Sequence, residues 1–251
     1  MDKIIAANWK MNNDFSDIKP FVKYVKKNQK NRNGLVVCVP SVMIKSMADE
    51  AKKIVEVGAE NCYFEEKGAF TGEISPKMVK SAGASHVIIG HSERRQIFGE
   101  TNEMLNKKLK ASLANGLKVI FCIGETLEEK SKYKSVLKKE IVEGFDGVTD
   151  FSNVVIAYEP VWAIGTGKVA TNADISKVHS YIKELVKETY DVQIPVLYDG
   201  SVKPSNSGEI LALQEVDGVL IGGASLKAED YVAIAASRSV LLCGGMIYFK
   251  C

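Results

Sequence analysis

Short apolar runs punctuate the chain at residues 4–7, 35–39, 54–58, 86–90, 117–123, 154–158, 194–198 and 216–221. Each is rich in β-branched residues and mostly continuous rather than alternating. A strand with one wet face alternates polar and apolar residues. An unbroken run needs cover on both faces, as in a parallel sheet flanked by helices. Between most of these runs the period becomes helical. Ile175, Val178, Ile182 and Leu185 fall on one face, and Leu105, Leu109 and Leu113 repeat every four residues. Ser75 followed by Pro76 reads as a cap and a proline at the first helical position. Thr126 with Glu129 has capping-box spacing and predicts a helix opening there. Asn115-Gly116 predicts a helix stop.

Successive runs lie about 30 residues apart, the size of one βαβ unit. Eight units fill nearly the whole chain, and no Pro/Gly/Ser-rich linker divides it. The pattern predicts an α/β fold, a closed (β/α)8 barrel of eight parallel strands inside a ring of helices, with a doubly wound open sheet as the alternative. The barrel is expected to occupy residues 1–236 as a single domain. Residues 237–251 read as a C-terminal extension with no assigned role.

Composition narrows the partners. The 251 residues carry 33 basic and 31 acidic side chains, a net charge of +2, which gives no electrostatic reason to expect nucleic acid or a membrane surface. No apolar run reaches the roughly 18 residues of a membrane helix, and the first run is too short for a signal-peptide core. Cysteines at 38, 62, 122, 243 and 251 are odd in number and form no C-x-x-C pair. They read as reduced thiols in a cytoplasmic protein, Cys122 as a core thiol and Cys62 as the candidate for modification.

In a barrel the chemistry sits at the C-terminal ends of the strands. The residues there are Asn8-Trp9-Lys10, then Gly90-His91-Ser92-Glu93-Arg94, Glu159-Pro160, Asp199-Gly200-Ser201 and Gly222-Gly223. A cation, a histidine, a carboxylate and two glycine turns thus converge on one rim. Each has a plainer reading: Lys10 as a solvated surface group, His91 as a helix cap, Glu159 as half of a structural salt bridge, the glycines as tight turns. His86 and His179 read more simply as packed core histidines. Gly165-Thr166-Gly167-Lys168-Val169-Ala170 matches a dinucleotide fingerprint in letters only, because five residues separate it from the preceding strand. It reads better as the end of a loop that starts at Pro160-Val161-Trp162, carries Ala163-Ile164 at its tip and closes over the site.

Five segments together resemble triosephosphate isomerase. They are Asn8-Trp9-Lys10-Met11-Asn12, Gly68-Ala69-Phe70-Thr71-Gly72-Glu73, Gly90-His91-Ser92-Glu93-Arg94-Arg95, the run from Ala157 to Lys168, and Gly222-Gly223-Ala224-Ser225-Leu226. The resemblance runs in order from about residue 3 to about residue 236. It implies the interconversion of dihydroxyacetone phosphate and glyceraldehyde 3-phosphate, a step of glycolysis and gluconeogenesis, with no metal and no organic cofactor. It implies Glu159 as the base, a neutral His91 at the carbonyl, Lys10 against developing charge, Asn8 orienting substrate and Glu93 buttressing Lys10. It further implies N–H donors to phosphate at Gly165, Ser201, Gly222 and Gly223, with Ile164 and Leu220 pressing on Glu159. The loop 68–73 implies a homodimer, with Thr71 near the partner's active site. This enzyme is a standard example of pKa tuning and loop closure.

Three features depart from the family pattern. Asp199 stands where glycine is usual, and its side chain is expected to point away from the site. Glu60 stands where glutamine is common, and burial is expected to raise its pKa. The third is the extension from residue 237 onward. Two other functions fit parts of the sequence: a nicotinamide-dependent oxidoreductase, resting on residues 165–170, and a non-catalytic phosphate-binding barrel.

Overall fold

The computed structural model describes residues 2–163 and 170–238. Among them, eight strands pair in chain order and all in parallel: β1 (Ile4–Asn8), β2 (Leu35–Val39), β3 (Glu56–Ala59), β4 (His86–Ile89), β5 (Lys118–Ile123), β6 (Val154–Tyr158), β7 (Val196–Tyr198) and β8 (Gly218–Ile221). β8 returns to pair with β1, with Ala6 beside Leu220, so the sheet closes into a barrel and the open-sheet alternative falls away. Around it run α1 (Phe15–Asn28), α2 (Ile44–Ala51), α3 (Pro76–Ser81), α4 (Ser92–Gln96), α5 (Asn102–Ala114), α6 (Tyr133–Gly144), α7 (Asn172–Tyr190), α8 (Ser207–Ala212) and α9 (Ala228–Ser237).

The unbroken apolar runs have a direct cause. Alternate residues of each strand enter one of two cores. Ala6, Val36, Cys38, Ile88, Ile120, Cys122, Ala157, Leu197 and Leu220 fill the barrel. Their neighbours Ile5, Val37, Ile89, Phe121, Ile156 and Tyr198 pack outward against the helices. The helical faces behave as their periodicity requires, with Ile175, Val178, Ile182 and Leu185 of α7 all buried. Ser75 caps α3 by accepting from the Met78 N–H at 3.2 Å, with Pro76 in the first turn. α5 ends at Ala114, with Asn115 as its cap and Gly116 following at φ +68°.

One helix start differs from expectation. Glu129 accepts from the Thr126 N–H at 3.0 Å, but this closes only a turn, and α6 begins at Tyr133 after a short 3-10 turn at Lys130–Lys132. Residues 128–132 are polar all round and Leu127 is exposed. Only from Tyr133 onward do Leu137 and Ile141 supply an apolar face to bury. The first part of the presumed C-terminal extension is integral to the barrel floor. Ser237 ends α9, and the Arg238 guanidinium donates to the Lys3 carbonyl at 3.3 Å and to the carbonyls of Asn31 and Asn33. Residues 239–251 lie outside the described residues.

Candidate active site

The strand ends form a crowded rim. Gly90 follows β4 at φ +83°, and a Cβ there would come within 3.0 Å of the Cys122 carbonyl. A Cβ at Gly124 would overlap the Glu159 carbonyl. Glycine is therefore required where β4 and β5 hand the chain to the site. Lys10 holds the left-handed conformation at φ +53°, its N–H donating to Asn8 Oδ1 at 3.1 Å. Behind it Trp9 is fully buried, edge-on to Phe21 at 5.2 Å. Local strain at Lys10 is thus held by a packed indole and a side-chain hydrogen bond.

Glu159 is 1% exposed. Its Oε2 accepts the Ser92 N–H at 2.7 Å, and Oε1 lies 3.1 Å from His91 Nε2. His91 Nδ1 accepts the Glu93 N–H at 3.2 Å, which assigns the ring proton to Nε2, the nitrogen facing Glu159. Burial, reinforced by the Lys10 charge, lowers the His91 pKa to about 4, so the ring is neutral near pH 7. Burial raises the Glu159 pKa well above the usual carboxylate range, and the Asp199 carboxyl raises it further. Lys10 Nζ bonds Glu93 Oε1 at 2.7 Å. Burial alone would lower the Lys10 pKa, but that bond and the charges of Asp199, Glu93 and Glu159 carry it above its ordinary value.

Asp199 does not point away. It is buried, with Oδ2 3.8 Å from His91 Nε2, in contact with Glu159. The reason is period two: Leu197 faces the barrel interior, Tyr198 faces outward, and Asp199 faces inward again. Burial raises its pKa too. Glu60 behaves as expected, its pKa pushed up to about 8 by burial. It lines a cavity of 450 Å³ with Asn8, Lys10, His91 and Glu93. The loop 68–73 reaches that cavity through Gly72 and Glu73, and Thr71 is exposed at its tip. A second cavity of 790 Å³ joins Lys10 to Ser201, Gly222 and Gly223. Leu220 is buried inside the barrel beneath it. Ile164 and Gly165 lie outside the described residues, as does the fingerprint segment apart from Ala170.

Several contacts escape sequence reasoning. Arg95 ties the rim together, donating to the carbonyls of Gly90 at 2.8 Å and Cys122 at 3.0 Å. Glu125 Oε1 accepts from Tyr158 Oη at 3.0 Å and Trp162 Nε1 at 2.9 Å, anchoring the chain as it leaves β6. Ser201 Oγ donates to the Ala163 carbonyl at 2.9 Å. Nothing in the periodicity marks Glu125 or Arg95. His179 and His86 are core histidines as read, with burial lowering their pKa values to about 3 and about 4. Cys62 is a poor candidate for modification: it is buried against Ser112 Oγ, and burial pushes its pKa up to about 11.

His91, Glu159 and Asp199 offer ligand atoms within 4.8 Å of one another, the spacing of a metal site. The donor set does not fit one. The Glu93 N–H occupies Nδ1, so Nε2 carries the proton and has no lone pair to offer. Among the described residues, no helix is long and apolar enough to cross a membrane.

Comparison with known proteins agrees with this geometry. The triosephosphate isomerase family profile matches residues 3–238. Triosephosphate isomerase of Pelodictyon phaeoclathratiforme is 44% identical over 95% of this chain and 99% of its own. That of Geobacter metallireducens is 47% identical over 92% and 96%. The crystal structure of triosephosphate isomerase from Bartonella henselae superposes with a TM-score of 0.88 at 37% identity, covering 95% of this chain and all of that one. The chain belongs to the triosephosphate isomerase family.

Proposed function

We propose that the protein interconverts dihydroxyacetone phosphate and D-glyceraldehyde 3-phosphate by proton transfer through an enediolate, with no metal or organic cofactor. The observation that carries this reading is the meeting of a buried carboxylate with a neutral imidazole, Glu159 Oε1 to His91 Nε2 at 3.1 Å. The Lys10 ammonium lies on the same rim and shares a cavity with His91. Abstraction of a proton beside a carbonyl needs a base stronger than an ordinary carboxylate, and burial makes Glu159 one. It also needs a donor at the oxygen that becomes negative. A neutral Nε2–H serves better than an imidazolium, because its acidity is closer to that of the enediol it must protonate and deprotonate.

Lys10, held by Glu93, supplies positive charge to the enediolate and phosphate, and Asn8 fixes the lysine's backbone. Ser201, Gly222 and Gly223 line the second cavity, where their backbone N–H groups would receive the phosphate. Leu220, buried inside the barrel, would form part of the apolar wall around Glu159. The test is turnover of either triose phosphate by the purified chain without added metal, alongside Glu159→Gln. Loss of about 10²–10⁴-fold in kcat is expected for the variant. Undiminished turnover would remove Glu159 as the base.

The working form is a homodimer in the cytoplasm. Met11, Val42, Ile97 and Phe98 are 64% or more exposed and follow β1, β2 and β4, beside the first cavity. Apolar groups clustered there support a second copy as their cover, with Thr71 reaching the partner's site. The unpaired, buried thiols of Cys38, Cys62 and Cys122 suit a reducing compartment. Sedimentation at micromolar concentration should give twice the chain mass, and a monomer that turns over at full rate would overturn the dimer.

A further inference from the structure

Glu159 and Asp199 occupy the same register position on neighbouring strands. Tyr158 pairs with Tyr198, and the Asp199 N–H donates to the Tyr158 carbonyl at 2.8 Å, so the ladder runs one residue past each strand end. Both side chains therefore turn into the barrel, above Ala157 and Leu197. Both are buried with their carboxyl groups in contact, and the His91 Nε2–H lies near Glu159 Oε1 and Asp199 Oδ2 without an aligned hydrogen bond to either, so neither oxygen has a donor outside the pair.

Two buried carboxylates in contact need a cation or a proton between them. Among the described residues no Lys or Arg forms an ion pair with either. From β1, Lys10 is engaged by Glu93. From β4 and α4 come neutral His91, Glu93 itself, and Arg95, whose fork is spent on Gly90, Cys122 and Asn102. From β5 comes the Cys122 thiol, and from β7 the Tyr198 phenol, whose pKa values burial raises.

We propose that Asp199 is a positioning residue for Glu159: the two carboxyl groups share one proton, which parks the base against the Ser92 N–H until it is released. Release sends the proton to bulk water and leaves two carboxylates, whose repulsion drives Glu159 off Asp199 and toward the substrate carbon. The inference rests on the isomerase reading of the site. It makes the acid limb of the activity profile a property of the pair and not of Glu159 alone.

The test is kcat/KM against pH for the wild type, Asp199→Asn and Asp199→Gly, together with infrared titration of protonated carboxyl groups. An asparagine amide donates to Glu159 without sharing a proton; glycine removes the contact and tests the same point if the asparagine variant folds poorly. The acid limb should move down by at least one pH unit in either variant. That is about a fivefold gain, relative to each plateau, one unit below the wild-type midpoint. The carboxyl band that titrates with the wild-type limb should vanish, while bands from Glu60 and Glu140, both raised by burial, stay as internal references. Superimposable acid limbs, or an unchanged carboxyl band, would overturn the shared proton. A chain that shows the band and its loss in Asp199→Asn, yet turns over neither triose phosphate, would overturn the isomerase reading and leave the pair standing.

Discussion

Two buried acids in this molecule have opposite surroundings. Glu100, 6% exposed, is met by the Lys108 ammonium at 2.6 Å and by the Arg94 guanidinium, while Lys108 also donates to Asn61 Oδ1 at 2.9 Å. Glu159, 1% exposed, is met by a second acid and a neutral imidazole. Burial penalises both charges alike. The first site surrounds its carboxylate with cations that fix it in place; the second withholds them, leaving a carboxyl whose pKa burial raises. Partners, more than depth, separate an acid that holds the fold from the one proposed as the base.

The comparison breaks most visibly at Glu159. Besides its loss of turnover, Glu159→Gln should be more stable than the wild type at pH 8 and less so relative to it at pH 5. The folded pair keeps a proton that an unfolded chain gives up near its ordinary carboxylate pKa of about 4. The native state therefore binds more protons above that pH, and stability falls as pH rises. Glutamine removes the part of the dependence that Glu159 contributes and leaves the part due to burial of Asp199. Denaturant midpoints at the two pH values check it, and a variant less stable at both would contradict the like-charge account.

At the other site the sign reverses. Lys108→Ala should cost about 3 kcal/mol, the low end for breaking a buried pair because Arg94 remains. Lys108→Met with Glu100→Leu should recover most of that loss, since the one charge left without its partner, Arg94, is 31% exposed and reaches water. Urea unfolding measures both, and a double variant as weak as the single one would show that packing, not charge, is at stake.

The smallest effect belongs to Glu60, whose folded pKa of about 8 exceeds the unfolded value. Its contribution is lost as pH climbs from about 5 to 8. Glu60→Gln should gain a few degrees in thermal midpoint over the wild type across that window and nothing below it. Parallel curves would contradict it.

Much of this is legible in the residues. The unbroken runs call for strands covered on both faces, and the strand ends mark where Glu159, His91 and Lys10 meet. What stays hidden is lateral. Asp199, considered only beside a phosphate, gives no hint of its direction; counting inward and outward from Leu197 does, once β7 is aligned with β6. Thr126–Glu129 has the letters of a helix start, yet the segment after it has no apolar face to bury. Glu125 and Arg95 act on residues 33 and 27 positions away, at Tyr158 and Cys122, distances at which no local pattern speaks.

The floor has a consequence for how the chain is made. Arg238 and Tyr231 bond carbonyls of Lys3, Ile5, Asn31, Asn33 and Val36, and β1 pairs with β8. The first strand to leave the ribosome thus waits for the last. Through nearly all of synthesis β1 shows an open edge, the kind that recruits foreign strands. A message cut short before residue 218 would yield not a smaller barrel but a sticky one. The cell's exposure to that hazard is set by the time needed to translate the whole ring.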